Sequence, residues 1–258
     1  KFFQTVDVPL VSHKEAAVSA SLYMNPATTK IAQHVQITWE PQVANLLSQL
    51  RAVSNPKRPL MVGLVGIPGS GKSTSAEVLA AILGKEQTLV MPMDGFHLPL
   101  ADLANRPNAA DAIYRRGAPD TFAPHLLAHD LTRIAGYNTT TQEEVVSIPG
   151  FDHAVGDPIP NQHTFMREKH QIVIIEGLYL LHDDDGWEPI KSFFDWTLYI
   201  DADVDVCVER LKERNKCIPG YTPEEIEIRC DVVDRANAET AKRGAYKYAS
   251  QIVKSGAT

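Results

Sequence analysis

The chain has 258 residues, 44% of them hydrophobic, with a formal charge of −7 and an isoelectric point near 5.7. That length and apolar content are ample for one large α/β domain with a two-sided core, or a domain plus a small lid. An acidic chain without a concentrated Lys/Arg stripe argues against nucleic acid or an anionic membrane as partner, and no stretch approaches the ~20 apolar residues of a membrane-spanning helix. Cys207, Cys217 and Cys230 form no CxxC pair, so they read as free thiols.

Residues 1–38 show short apolar pieces without a sustained period and read as an N-terminal extension preceding a main domain over 39–258. The chain opens on Lys1 rather than Met, which is read as trimming or removal of a targeting segment. The corresponding expectation is a mitochondrial or plastid interior, with the cytoplasm as the alternative. Val43, Leu46, Leu47, Leu50 and Val53 recur at helical spacing after Pro41, which predicts an amphipathic helix ending before Ser54-Asn55-Pro56. Leu60–Val65 is a short apolar run ending in a glycine-rich turn, the pattern of a buried parallel strand. A helix is expected from Lys72 to Leu83, closed by Gly84. Further strands are expected at 88–93, 172–175 and 196–200, with a helix near 124–135 inside the long Pro- and Gly-containing section between the second and third strands. Asp203 caps a helix running to Arg214, and Thr222-Pro223-Glu224-Glu225 has the capping-box arrangement for a helix ending near Gly244. Ser250–Lys254 completes the series as a fifth strand. Strands separated by helices imply a parallel sheet covered on both faces.

Gly66-Ile67-Pro68-Gly69-Ser70-Gly71-Lys72-Ser73 satisfies GxxxxGK[ST] between a predicted strand and a predicted helix. The chemistry needs that spacing. Glycines let the backbone wrap a phosphate, the following helix N-terminus presents partial positive charge, a lysine reaches the β- and γ-oxygens, and a hydroxyl ligates Mg²⁺. Lys72 and Ser73 take the last two roles. No NKxD base-reading motif of GTPases is present, because Asn215-Lys216-Cys217-Ile218 lacks the Asp, nor is an LSGGQ-like signature. ATP-dependent small-molecule kinases remain. Asp94 follows the second strand, where the carboxyl ends of a parallel sheet line the ligand crevice, and is placed either to take a proton from an attacking hydroxyl or to cap an Asp-Gly turn. Glu176 ends the third strand and either assists Mg²⁺ or faces solvent. Arg210 and Arg214, four apart, share a helix face; they clamp the transferring phosphoryl group or pair with Glu209 and Glu213 at the surface. His125 and His129 have metal-ligand spacing but lack a third ligand.

Together these segments resemble the phosphoribulokinase/uridine kinase family of P-loop kinases, which includes the bacterial-type pantothenate kinases, over about Pro41 to Lys254. Gly66 to Thr74 looks like the family's phosphate loop and Asp94-Gly95-Phe96 like its acceptor-strand motif. Arg116-Gly117-Ala118-Pro119-Asp120-Thr121-Phe122 is similar to the segment "KGAPETFD" of a nucleoside/nucleotide or sugar kinase-like branch. Phe151-Asp152-His153, Glu176-Gly177, Arg210-Leu211-x-x-Arg214 and Asp234-x-x-Asn237-Ala238 fit the same branch. The segment's usual final Asp is Ala123 here, and the His that often follows the lid arginine is Asn215, so the acceptor stays open among pantothenate, uridine, a pentose phosphate and other sugars. The resemblance implies a nucleoside/nucleotide kinase-like P-loop fold with sheet order 2-3-1-4-5, helices on both faces and a small lid. It also implies ATP and Mg²⁺ as cofactors. The nucleotide is expected on Gly66, Pro68, Gly69, Ser70, Gly71, Lys72, Ser73, Thr74 and Arg214, the metal on Ser73 and Glu176, and catalysis on Lys72, Asp94 and Arg210. The acceptor is expected near Phe96, His97, Arg116 and Asp152, although each of these side chains has an ordinary structural reading as well. Expected partners are a small-molecule acceptor and, through residues 1–38, a homodimer or a larger complex in which the chain is a kinase-fold subunit with little turnover.

Overall fold

A computed structural model describes residues 58–136, 143–216 and 221–255. The extension at 1–38, the helix expected after Pro41 and Cys217 lie outside the described residues. Five strands form one parallel sheet: β1 (Leu60–Gly66), β2 (Thr88–Pro92), β5 (Ile172–Gly177), β6 (Trp196–Asp201) and β7 (Gln251–Lys254), in the order β2-β5-β1-β6-β7. Numbered within that sheet alone, this is 2-3-1-4-5. β1 runs between β5 and β6, with Met61 opposite Val173 and Leu64 opposite Leu198.

Both faces of the sheet are buried, which is why the central strands are continuously apolar rather than alternating. The twofold side-chain period sends Met61, Val65, Val173, Ile175 and Tyr199 to one core, and Leu60, Val62, Leu64, Ile172 and Ile174 to the other. The second core is covered by α1 (Lys72–Leu83) through Ala76, Leu79 and Leu83. The first receives α4 (Pro124–Ala135), α5 (Val204–Asn215), α6 (Pro223–Arg229) and α7 (Arg235–Tyr248). Two short helices, α2 (Leu100–Ala104) and α3 (Ala109–Tyr114), precede α4.

Local signals set these boundaries. Gly84 at φ 101° ends α1, and Gly136 at φ 69° ends α4. The Asp203 carboxylate accepts from the Val206 amide, and Thr222 and Glu225 form a complete capping box. Two features differ from expectation. The helix from Thr222 is not continuous, because Cys230–Asp234 form a π-turn between α6 and α7. The section before β5 also contains an antiparallel hairpin of β3 (Val145–Asp152) and β4 (Asp157–Met166), whose register shifts between Ile148 and Gly150. Each strand of a two-stranded ribbon is an edge, so the prolines at 149, 158 and 160 cost little pairing. Val146, Ile148 and Phe165 fasten the ribbon to the core.

Candidate active site

The phosphate loop is the turn from β1 into α1. Gly69 and Gly71 hold φ values of 80° and 84°, a region that L side chains rarely occupy. A β-carbon on Gly69 would lie 2.6 Å from the Cys207 carbonyl oxygen of α5, whereas one on Gly71 would project into open space. Gly71 is also the N-cap of α1 and offers no side-chain cap, so the helix's first amides are left for an anion. The loop is therefore packed on its α5 side and open on the other.

On the open side is a cleft of about 740 Å³ lined by Pro68, Lys72, Ser73, Asp94 and Glu176, among others. The Ser73 hydroxyl donates to Glu176 Oε1 at 2.9 Å, and Glu176 Oε2 is buried with no hydrogen-bond partner. Burial pushes the Glu176 carboxyl upward; Asp94 adds to that, while Lys72 and the Ser73 hydroxyl oppose it. A buried carboxylate oxygen without a partner, beside a hydroxyl at the base of an anion-binding loop, suits a hard divalent cation and its water shell. The residues fit Mg²⁺, which Ser73 and Glu176 would hold. The Ser70 hydroxyl, also buried without a partner, is a second such group within the loop.

Asp94 lies in a 3-10 turn (Met93–Phe96) directly after β2, and its side chain lines the cleft. The turn also places His97, whose ring nitrogen Nδ1 bonds the Asp94 carbonyl at 2.8 Å. Burial lowers the His97 pKa, so the ring is neutral near pH 7, with Nδ1–H donating and the lone pair on Nε2. Its ring lies 3.9 Å from Phe122 and 4.7 Å from Phe151, centroid to centroid.

The remaining expected site residues fall in different places. Thr74 is half-buried in the first turn of α1. Arg210 reaches over the phosphate loop toward the Gly69 carbonyl at 3.4 Å, and Arg214 lines the cleft. The surface partners foreseen for them are taken by lysines instead: Lys212 pairs with Glu209 at 2.9 Å and Lys216 with Glu213. Two acceptor-side expectations, Phe96 and Asp152, require correction. Phe96 is 2% exposed and belongs to the core, because the 3-10 turn points it inward. Asp152 is not among the residues lining the cleft; its Oδ1 accepts from the Ala154 and Val155 amides of the hairpin turn at 2.7 and 3.2 Å. Arg116 lines the cleft as expected; its terminal nitrogens donate to the Leu98 carbonyl and Asp157 Oδ1, both at 2.9 Å, and to the Gly156 carbonyl, while its buried Nε has no hydrogen-bond partner. It braces the cleft wall. His125 and His129 are exposed, and no group of three or more potential metal ligands occurs among the described residues.

Sequence reasoning did not single out Gln162, His163, Asp234 and Asn237 as site residues, yet all four line the cleft. The motif Asp234-x-x-Asn237 was visible; its direction depends on the π-turn before it.

A sequence model of the phosphoribulokinase/uridine kinase family matches residues 61–256, and the chain belongs to that family. A Schizosaccharomyces pombe protein provisionally named a uridine kinase is 35% identical over 184 residues, which is 69% of this chain and 76% of that protein. The pantothenate kinase of Lacticaseibacillus casei is 28% identical over 62% of this chain and 50% of its own length. Among solved structures, a Silicibacter protein provisionally described as a fructose transport system kinase superposes with TM-score 0.68 at 28% identity, covering 81% of this chain and 97% of that one. A P-loop-containing Saccharomyces cerevisiae protein, 20% identical, shares the fold with TM-score 0.67 over 89% of this chain and 99% of its own.

Proposed function

We propose that this member of the phosphoribulokinase/uridine kinase family transfers the γ-phosphoryl group of ATP to a hydroxyl of a small metabolite. One observation carries the reading: Lys72, the Ser73–Glu176 pair and Asp94 line a single cleft at the open side of the phosphate loop. The uridine, pantothenate and fructose named in its relatives' descriptions are all hydroxyl-bearing small molecules, which supports an alcohol acceptor.

The loop amides and Lys72 bind and orient the nucleotide's β- and γ-phosphates. Ser73 and Glu176 would hold Mg²⁺, which would supply charge neutralisation for the phosphate oxygens. Asp94 accepts a hydrogen bond from the acceptor hydroxyl and aligns it on the γ-phosphorus. As the new O–P bond forms and the bond to the β–γ bridging oxygen breaks, the hydroxyl proton passes to Asp94 and ADP leaves. In a loose transition state, orientation of the hydroxyl matters more than early proton removal, so a carboxylate is sufficient. Arg210 and Arg214 approach from α5 and are placed to steady the transferring group.

The test is ADP release by purified protein with ATP, Mg²⁺ and a panel of alcohol acceptors. Lys72→Ala should abolish turnover, and Asp94→Asn should lower kcat by about 10²–10⁴-fold while ATP still binds. Failure of the wild-type protein to bind ATP·Mg²⁺ at millimolar concentration overturns the proposal.

A further inference from the structure

Asp94 is placed by the short turn that carries it. A 3-10 helix has three residues per turn, so Met93, Asp94 and Gly95 leave it in three directions and Phe96 returns to that of Met93. The side chains follow that rule: Met93 and Phe96 enter the core, and Asp94 lines the cleft. The third direction, at Gly95, meets the β3–β4 ribbon. Glycine after aspartate commonly serves a left-handed turn, but Gly95 is not among the glycines of positive φ. Close approach requires it instead. A β-carbon on Gly95 would lie 2.4 Å from the Pro149 carbonyl oxygen. Pro149 stands where the ribbon's register shifts, and such a bulge bends its strand.

The other side of the turn is as tightly met. Gly177 directly follows Glu176 and also has no positive φ, yet a β-carbon there would lie 2.5 Å from Met93 Cβ and 2.8 Å from its Sδ. The Tyr179 amide donates to that same sulfur at 3.4 Å. Pro92 faces Glu176 across the β2–β5 ladder, so the Met93–Gly177 contact lies one residue from Asp94 and one from Glu176. The turn is therefore a layer between the end of β5 and the bulge. Ordinary contact begins near 3.4 Å, so a methyl group on either glycine requires about 1 Å of movement. β5 is an interior strand of the sheet, and the ribbon is fastened to the core by Val146, Ile148 and Phe165.

Resting on the kinase reading above, we infer that Gly95 and Gly177 are positioning residues for phosphoryl transfer: by admitting the Pro149 carbonyl on one side and Met93 on the other, they fix the Asp94 carboxylate relative to the Ser73–Glu176 pair. Neither glycine lines the cleft, so both act through Asp94. A side chain at either position moves the one-turn element, which lies between an interior strand and an anchored ribbon, and the acceptor hydroxyl that Asp94 aligns moves with it. Alignment on the γ-phosphorus is lost while the phosphate loop stays as it was.

Gly95→Ala and Gly177→Ala are compared with wild type as full chains, by ADP release with ATP·Mg²⁺ and the fastest alcohol of the panel above. Each should lower kcat about 10²-fold and leave the ATP KM within about 3-fold, because the displaced group aligns the acceptor alone. In an Asp94→Ala background, Gly95→Ala should change kcat by no more than about 2-fold, since residues that act as one unit are not additive. A merely structural role would multiply the two losses. The substitutions lie on opposite sides of the turn, so either one alone carries the test if the other does not fold. Crystal structures, which need no acceptor, should show the Asp94 carboxylate displaced by about 1 Å relative to Glu176, with β1 and β5 superposing on wild type. Wild-type kcat in both variants, a Gly95→Ala loss undiminished in the Asp94→Ala background, or an Asp94 that stays in place overturns this inference and leaves the kinase reading intact. A wild-type chain that binds no ATP·Mg²⁺ overturns both.

Discussion

Burial holds the Glu176 carboxyl above the ordinary carboxylate range, with Asp94 adding to the shift and Lys72 and Ser73 resisting it. In the window between the ordinary value and the raised one, the native state keeps a proton that the unfolded chain has released. Stability therefore falls as pH rises through that window. Glu176→Gln removes the titration while its amide oxygen still accepts from Ser73. The variant should melt above wild type at about pH 8, and the difference should shrink as pH falls and vanish only well below the ordinary carboxylate range, where the carboxyl is protonated in both states. Each kcal/mol corresponds to about 2–4 °C in a chain of this size. Saturating ATP·Mg²⁺ should narrow or reverse the order, because only wild type offers the cation a carboxylate. Differential scanning fluorimetry across that range checks it: parallel melting curves at every pH would refute the raised titration, and an order unmoved by saturating ATP·Mg²⁺ would remove Glu176 from the metal role. The same residue shows what sequence can carry at this scale. An acid at the end of an apolar strand beside a phosphate loop was readable; the orphaned Oε2 that makes the argument was not.

At the scale of elements, contiguous motifs were legible and directions were not. The helix from Lys72 to Leu83 and the sheet strands stood out because each is a local pattern bounded by its own glycine, cap or turn. The β3–β4 ribbon did not, since prolines and a bulge interrupt its alternation and its burial depends on residues far along the chain. Phe96 was misplaced for a related reason: a 3-10 turn beside a site aims alternate side chains toward the cleft and the core, and the motif does not say which. The phosphate loop offers a test of how far its two left-handed glycines differ. Gly71→Ala meets only the backbone penalty, about 1–2 kcal/mol, because its β-carbon finds open space. Gly69→Ala carries that penalty and also drives a methyl group into the Cys207 carbonyl, so α5 or the loop must shift. Chemical denaturation should therefore rank Gly69→Ala below Gly71→Ala in stability, by about 1 kcal/mol or more. Gly71→Ala should instead lose nucleotide affinity out of proportion to its stability, since its new methyl would stand in the open space that the proposed kinase function gives to the phosphates. Equal stabilities would mean that the contact with α5 is slack.

Across the whole molecule, the cleft walls come from segments distant in sequence, and residues 114–117, at the end of α3, tie them together. Arg116 reaches Leu98 beyond the 3-10 turn and Gly156 and Asp157 at the hairpin. Arg229 of α6 holds the Tyr114 and Arg116 carbonyls, and the Tyr179 hydroxyl donates to the Gly117 carbonyl at 2.8 Å. An arginine in a loop motif gave no sign of this, because the acceptors it gathers come together only after the chain has folded. Removing the guanidinium leaves two carbonyls and the Asp157 carboxylate short of a donor. With Asp157 32% exposed, the cost of Arg116→Ala should be roughly 2–3 kcal/mol, below the usual range for breaking a fully buried pair. Arg116→Lys should recover little of it, since an ammonium cannot span three acceptors in that planar arrangement. Hydrogen exchange provides the decisive reading: amides of the 145–166 hairpin should lose protection in Arg116→Ala, while those of β1 and β5 keep theirs. An Arg116 that acted directly on the acceptor would give the opposite signature, a raised acceptor KM with hairpin protection and melting temperature unchanged.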